Sequence, residues 1–464
     1  MRSTLCIFFY TRYCEPKLDA YGTVQNLPTM NICTQLNAEQ TQALEAVKQG
    51  KHIFLTGPGG VGKTHTIRAI KKWAEDTHTT CAITAMTGCA ALLLGRGAKT
   101  LHSWAGIGLA RETPQELAIK VGKDRRAKRR WCETQLLILD EVSMMTPDIL
   151  EKLDLIARRV RQCPEKRMGG IQLVLSGDFC QLPPVSKGKE IVFAFESPFW
   201  KEMIDEVHEL HQIVRQSDPS FQQILREARL GSLSETSIQT LQDRCGLSWR
   251  ENEILPTLLF SRNKDVETIN RVNLDALTGE KRIFEAQDVT IQAKKKKDQK
   301  PPTQIERQRA LERLDNDAPY LKELELRVGA QVMLLTNMDH ERGLVNGSRG
   351  IITGYSAGGL PIVRFLSVPE PVVIDRANWW LSEYEHIGRS QIPLRIAYAM
   401  TIHRSQGATL DSALIDIGSN TFEWGQAYVA LSRVRSMEGL YIWKIDPSKI
   451  RCHPKVRLFY SPIV

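Results

Sequence analysis

Residues 57–64 read GPGGVGKT, a spacing of glycines, a lysine and a hydroxyl that can hold a chain of phosphates. The glycines let successive backbone N–H groups wrap phosphate oxygens, Lys63 neutralises charge between the terminal phosphates, and the Thr64 hydroxyl can ligate Mg²⁺. An apolar run stands before the loop and a helical pattern behind it, as this chemistry requires. A second acidic element, Asp140 and Glu141, follows LLIL directly. At the carboxyl end of a buried strand, the aspartate can hold Mg²⁺ mostly through its water shell and the glutamate can polarise an attacking water. A third stretch, LVLSGDFCQLPPV at 173–185, turns abruptly from apolar to polar. Ligands gather at the carboxyl ends of strands in open α/β sheets, so Gln181 is expected to point at the γ-phosphate.

The elements that must position these residues are a parallel sheet and its helices. From Leu36 to about Asp205, short apolar runs (HIFLT at 52–56, CAIT at 81–84, QLLILD at 135–140, IQLVLS at 171–176) alternate with helical patterns. A second α/β segment begins near Val207, with TLLFS at 257–261 as a strand. KKKKDQK at 294–300, followed by two prolines, reads as a basic linker spanning 294–302. Beyond it, VGAQVMLL, GIITGY and LPIVRFL alternate between Asn-Gly and Gly-Gly turn signals, which predicts a small β-barrel or sandwich. α/β character returns from about Ile396 to Trp443, so the β module is an insertion in the second α/β domain.

Composition bounds the partners. Lys and Arg number 62 against 53 Asp and Glu, a surplus of 9 with a pI near 9.0, which suits a polyanion. None of the ten cysteines forms a CxxC pair, so neither a zinc site nor a disulfide framework is expected, and a reducing compartment is. No apolar run approaches the roughly 18 residues of a membrane span. Residues 1–35 are expected to lie outside the fold, because patterning begins near Leu36 and Met30 is itself a possible start; Arg2, Arg12 and Lys17 leave an organellar transit peptide as the alternative.

Taken in order, LNAEQ (36–40), GPGGVGKT, TAMTGCAA with TLHSWAGIG, LDEVSMM, GDFCQLPPV, VRQSDPSF, TIHRSQG and YVALSR resemble the motif series of superfamily-one DNA helicases. They are most similar to the PIF (petite integration frequency) helicases of the RecD-like branch, and the resemblance covers about Leu36 to Trp443. It implies two RecA-like P-loop domains, 36–205 and 206–279 with 393–464. A wedge insertion of about 107–131 would sit in the first, and an SH3-like insertion at 280–392 in the second. The stretch EVSMMTPDILEKLDLIARRVR also resembles the family's signature segment, and it makes sense as a helix. Thr146 is its N-cap, Pro147 suits its first turn, and Ile149, Leu153, Ile156 and Val160 form one apolar stripe. Lys152, Arg158, Arg159 and Arg161 are expected on its solvated face.

By the resemblance, ATP with Mg²⁺ is bound by Gln40, which recognises adenine, and by the loop from Gly57 through Gly59, Gly60, Val61, Gly62, Lys63 and Thr64 to His65. Thr64 and Asp140 would hold the metal and Glu141 would be the general base. Gln181 would link the γ-phosphate to the DNA surface, and Arg215 and Arg433 would act as arginine fingers from the second domain. Single-stranded DNA would cross Thr87, His102, Asn346, His403, Arg404 and Ser405, with Trp104 packing in the core. GKDRRAKRRW at 122–131 matches the wedge, where duplex phosphates would lie; a nuclear-localisation address or a solvated basic loop has the same composition. Met86, Cys180 and Arg404 depart from the family's small polar residue, aromatic and lysine.

The expected activity is an ATP-dependent DNA helicase moving five-prime to three-prime. Its expected substrates are single-stranded, forked and G-quadruplex DNA, met in replication, recombination, repair or telomere maintenance. It is expected to be a monomer, with a DNA-dependent dimer as the alternative, in the nucleus or cytoplasm, with the mitochondrion as the alternative. A P-loop ATPase that remodels protein partners is the rival reading, and a non-motor nucleic-acid module the second.

Overall fold

The computed structural model describes residues 36–461, apart from 96, 109, 185–189, 250–253, 291–302, 319, 340–341 and 381–386. The extension at 1–35, the basic linker at 294–302 and Val185 of the Gln181 motif therefore lie outside the described residues. Six strands make the first sheet: β1 (Ile53–Thr56), β2 (Cys81–Ala85), β3 (Lys99–Thr100), β4 (Leu136–Asp140), β5 (Gln172–Ser176) and β6 (Glu206–Glu209). Their order is β3-β2-β4-β5-β1-β6 and every pairing is parallel. Every residue of β1 and β4 is buried, because helices cover both faces of the sheet. The first helices are α1 (Ala38–Lys48), α2 (Lys63–Asp76) and α3 (Leu101–Ala105); α4 (Pro114–Lys123) and α5 (Arg125–Glu133) form the wedge insertion, and α6 (Pro147–Val160) follows.

The second lobe has a parallel sheet of its own, β7 (Thr257–Phe260), β8 (Ala399–Thr401), β9 (Ala413–Ile417) and β10 (Leu440–Ile445), in the order β8-β7-β9-β10. Helices α7 (Pro219–Leu230), α8 (Gln304–Asp317), α9 (Gln426–Leu431) and α10 (Pro454–Tyr460) complete the set used below. Between β7 and β8 lies the β module. Its five-stranded antiparallel sheet runs Val372–Val373, Pro361–Phe365, Arg349–Tyr355, Gln331–Leu334, Leu394–Ile396, flanked by three- and two-stranded sheets. These are two RecA-like α/β lobes with a mainly β insertion, as the turn signals predicted, that also carries the helix Gln304–Asp317.

Three boundaries differ from the sequence reading. β6 pairs with β1 (Ile53 with Glu206, Thr56 with Glu209), so the first sheet continues past Asp205. Leu394–Ile396 pairs with Gln331–Leu334, so the insertion runs beyond Ile392. The third is the largest: α10, placed by sequence in the second lobe, packs into the first. The Phe459 ring stacks on Phe195 at 4.3 Å and meets Phe179 edge-on at 5.5 Å, while the Tyr460 hydroxyl lies 2.7 Å from Thr56 Oγ1 and accepts the Phe179 N–H. Burying two aromatic rings in the first lobe outweighs leaving them beside the second, since each carries a large apolar area and Tyr460 also finds its polar partner.

Beneath Tyr460 sits a buried ionic cluster. Arg229 of α7 donates to both oxygens of Asp178 and, at 2.9 Å, to Glu209, and its guanidinium lies 4.7 Å from the Tyr460 ring centre. Replacing Arg229 with alanine strands two carboxylates in the interior. It should lower the unfolding free energy by about 3–5 kcal/mol, read as a lower urea midpoint; an unchanged midpoint would show that the cluster carries no net stability.

Candidate nucleotide site and nucleic-acid face

The loop between β1 and α2 has a backbone only glycine accepts cheaply. Gly57, Gly60 and Gly62 take φ values of +130°, +90° and +88°, and a Cβ on Gly60 would lie 2.7 Å from Arg215 Cβ. Lys63 folds back on its own loop, donating to the carbonyls of Gly57 (2.6 Å) and Pro58 (2.9 Å). Burial lowers its pKa, against the pull of Asp178, Glu141 and Asp140. Thr64 and His65 occupy the first turn of α2. Gln40 closes the capping box at the start of α1, and its buried amide donates to the Val61 carbonyl at 3.4 Å, which sets it against the loop.

Two carboxylates face this loop from the end of β4. Asp140 Oδ1 accepts from Ser176 Oγ at 2.8 Å and from the Glu141 N–H at 2.9 Å, which fixes it; burial raises its pKa. Glu141 takes a left-handed backbone, φ 58° and ψ 41°. For a non-glycine residue that costs about 1–3 kcal/mol, strain of a kind that gathers at functional sites. Its Oε2 accepts from Gln406 Nε2 of the second lobe at 2.7 Å. Burial, then Asp140, pushes the Glu141 carboxyl up to about 7, opposed by Lys63, Arg433 and Gln406. Gln181 is buried in the loop after β5; its N–H donates to the Asp178 carbonyl, and its own carbonyl is 2.4 Å from where a Cβ on Gly425 would stand. Gly425 caps α9, so this close approach joins the two lobes.

The seam is built from α9 and the segment after β6. The Gly59 N–H donates to the Tyr428 hydroxyl at 2.8 Å. Arg433 is held by the Val429 carbonyl (2.9 Å) and Ser432 Oγ (2.7 Å), and its Nη2 would be 3.3 Å from a Cβ on Gly59. Arg215 donates its backbone N–H to the Gly60 carbonyl and its side chain to the Ser432 carbonyl at 3.0 Å. Both predicted fingers therefore stand at the phosphate loop. Burial, then Arg433, drives the Arg215 pKa down to about 9, and burial lowers that of Arg433 against the attraction of Glu141. Tyr428 and Gln216, whose amide reaches the Ser432 and Val434 carbonyls, were within quoted motifs but not singled out. Their role depends on contacts across the seam.

The proposed DNA residues divide. His403 and Arg404 are exposed just beyond β8, His102 is half-buried on α3, and Thr87 accepts the Ala90 N–H through its hydroxyl. Asn346 lies in a turn whose Gly347 abuts Thr409 of the same region. Ser405 does not join them: it is fully buried and its hydroxyl donates to the Ile402 carbonyl at 2.7 Å, bracing the turn. Trp104 is core, 4.6 Å from Trp131, as expected. The α6 charges are not a uniformly solvated face either. Lys152 is buried and donates to the Ala110 carbonyl at 2.7 Å, and Arg161 donates to the carbonyls of Cys132 (3.0 Å) and Thr134 (2.9 Å). Carbonyls at a helix end need donors, so these side chains clamp the wedge to the lobe.

A parallel α/β lobe with a phosphate loop, faced across a seam by Arg433 of a second such lobe, with Arg215 beside it from the segment after β6, defines a two-lobed P-loop NTPase. The profile described as PIF1-like helicase matches residues 35–237, and that of the DNA helicase Pif1 2B domain matches 310–355. The human protein named ATP-dependent DNA helicase PIF1 is 38% identical over 444 residues, 95% of this chain; the chain spans 66% of that relative's length. The crystal structure of Pif1 helicase from Candida albicans is 33% identical with a TM-score of 0.74, covering 93% of this chain and all of that one. A Bacteroides Pif1 helicase in complex with ADP-AlF3 and ssDNA is 28% identical with a TM-score of 0.61, covering 92% of this chain and 97% of that one. The chain belongs to the PIF1-like helicase family.

Gly60→Ala tests the loop directly. With φ at +90° and Arg215 Cβ in the way, the variant should stay folded but bind a fluorescent ATP analogue at least about tenfold more weakly, a loss of roughly 1.4 kcal/mol; unchanged affinity would mean the loop does not hold phosphate.

Proposed function

We propose that this chain is an ATP- and Mg²⁺-dependent motor that runs along single-stranded DNA from the five-prime to the three-prime end and separates duplex ahead of it. One observation carries the reading: Arg433 of the second lobe stands against Gly59 in the phosphate loop of the first. A cation delivered across a seam stabilises charge on a transferring phosphoryl group only while the seam is closed. Hydrolysis removes the reason to stay closed, so each ATP can drive one cycle of lobe motion. The relatives' names, and the Bacteroides complex with ADP-AlF3 and ssDNA, support the same reading.

The donor set suits the metal: a carboxylate at the end of β4 and a hydroxyl at the start of α2 are the oxygen ligands Mg²⁺ takes, so Asp140 and Thr64 would hold it. Once bound, it would neutralise charge on the terminal phosphates. Lys63 exchanges its carbonyl partners for phosphate oxygens, Glu141 orients the attacking water, Arg215 and Arg433 balance the developing charge, and Gln181 reports phosphate occupancy to the DNA face. Gln40 reads adenine. Thr87, His102, Asn346, His403 and Arg404 track the strand, and the wedge meets duplex at forks. G-quadruplex DNA is a further substrate of this kind.

Steady-state hydrolysis with and without oligothymidine, beside unwinding of forks carrying either tail, tests the proposal. Turnover should rise with oligothymidine and unwinding should need a five-prime tail. Lys63→Ala should abolish turnover, and Glu141→Gln should bind ATP without hydrolysing it. Hydrolysis indifferent to DNA would favour a protein-remodelling ATPase, and unwinding from three-prime tails alone would contradict the polarity.

A further inference from the structure

We propose that Gln406 is a positioning residue that ties the turn facing single-stranded DNA to the carboxylate that activates water. The inference rests on the helicase reading and adds to it the route by which a bound strand accelerates hydrolysis.

The geometry is direct. Gln406 Nε2 donates to Glu141 Oε2 at 2.7 Å across the seam between residues 265 apart in sequence. One carboxylate oxygen is thereby taken, and the plane of the group is set for the other to face a water. Asp140, Lys63, Arg433 and Arg215 are the charged groups whose fields act on Glu141. Gln406 is neutral, so it changes the orientation of the carboxylate without changing the charge balance of the cluster.

The other end of the connection is the turn itself. The Arg404 N–H donates to Thr401 Oγ1, the Ser405 N–H to the Thr401 carbonyl, the Gln406 N–H to the His403 carbonyl and the Ala408 N–H to the Ser405 carbonyl. With the Ser405 hydroxyl on Ile402, residues 401–408 form one internally bonded body. His403 and Arg404 are exposed on it, and Gln406 reaches the active site from it. The insertion leans on the end of the same body, since a Cβ on Gly347 would stand 3.5 Å from Ala408 Cβ. A phosphate held by His403 and Arg404 therefore restricts the piece of chain that aims the Glu141 carboxylate. Coupling of this kind is reciprocal in binding and needs a physical element that both sites bias; this turn is that element.

Gln406→Met keeps the length and bulk of the side chain but cannot donate, and Gln406→Ala removes it. For each, ATP KM, oligothymidine affinity by fluorescence anisotropy, and kcat with and without saturating oligothymidine should be measured on the full chain. The expected result is KM and DNA affinity within about threefold of wild type, DNA-stimulated kcat down about tenfold or more, and basal kcat down by less, so that the stimulation ratio collapses in both variants. A folded Gln406→Met protein with wild-type stimulation would overturn the proposal. So would equal losses in basal and stimulated kcat, which would make the contact local to the site. Wild-type protein that oligothymidine does not stimulate would instead remove the helicase reading and this inference with it.

Discussion

Asp140 and Asp178 are buried with half-buried Glu141 beside them, and carboxylates in an interior are tolerable only when cations and donors share it. Lys63, Arg229 and Arg433 supply those cations, and they come from different elements: the start of α2, the helix α7 and the segment just after α9. Satisfying the charges therefore brings the lobes together. The buried arginines are expensive alone and become affordable only beside the carboxylates, so the seam has a closed state that electrostatics favours. A polyphosphate adds negative charge at the centre of this arrangement, and the departure of the cleaved phosphate takes part of it away. The nucleotide site and the seam are one structure.

The C-terminal helix modifies this picture. By packing Phe459 and Tyr460 against Phe179 and Thr56, α10 places a piece of chain that follows the second sheet on the first lobe. α9 and its Arg433 lie on the other side of the seam from this strap. The wedge is held separately. Lys152 of α6 and Arg161 just beyond it anchor its carbonyls to the first lobe.

Much of this was legible in the sequence because chemistry dictates residue type and adjacency. A phosphate loop needs its glycines and lysine in one run, an acidic pair needs the end of a buried strand, and both were found where the patterns placed them. α6 was equally legible, from its Thr146 cap to the stripe of Ile149, Leu153, Ile156 and Val160. A helix at Gln304–Asp317 went unread although Thr303 and Glu306 form a capping box visible in the sequence. What sequence could not show depends on distant partners. The return of α10, the pairing of β6 with β1 and the reach of Gln406 to Glu141 join residues far apart in the chain. Ser405 illustrates the same limit on a single side chain, since a serine that meets a phosphate and one that braces a turn look identical until burial is known.

The central claim is that closing of the seam delivers Arg433 to the transferring phosphate. Single-turnover hydrolysis by Arg433→Ala, with ATP affinity measured on the same protein, tests it most directly. The account predicts affinity within a few fold of wild type and a hydrolysis rate lower by about a thousandfold or more, the scale of an arginine finger. Near-normal hydrolysis by a folded Arg433→Ala protein would contradict it.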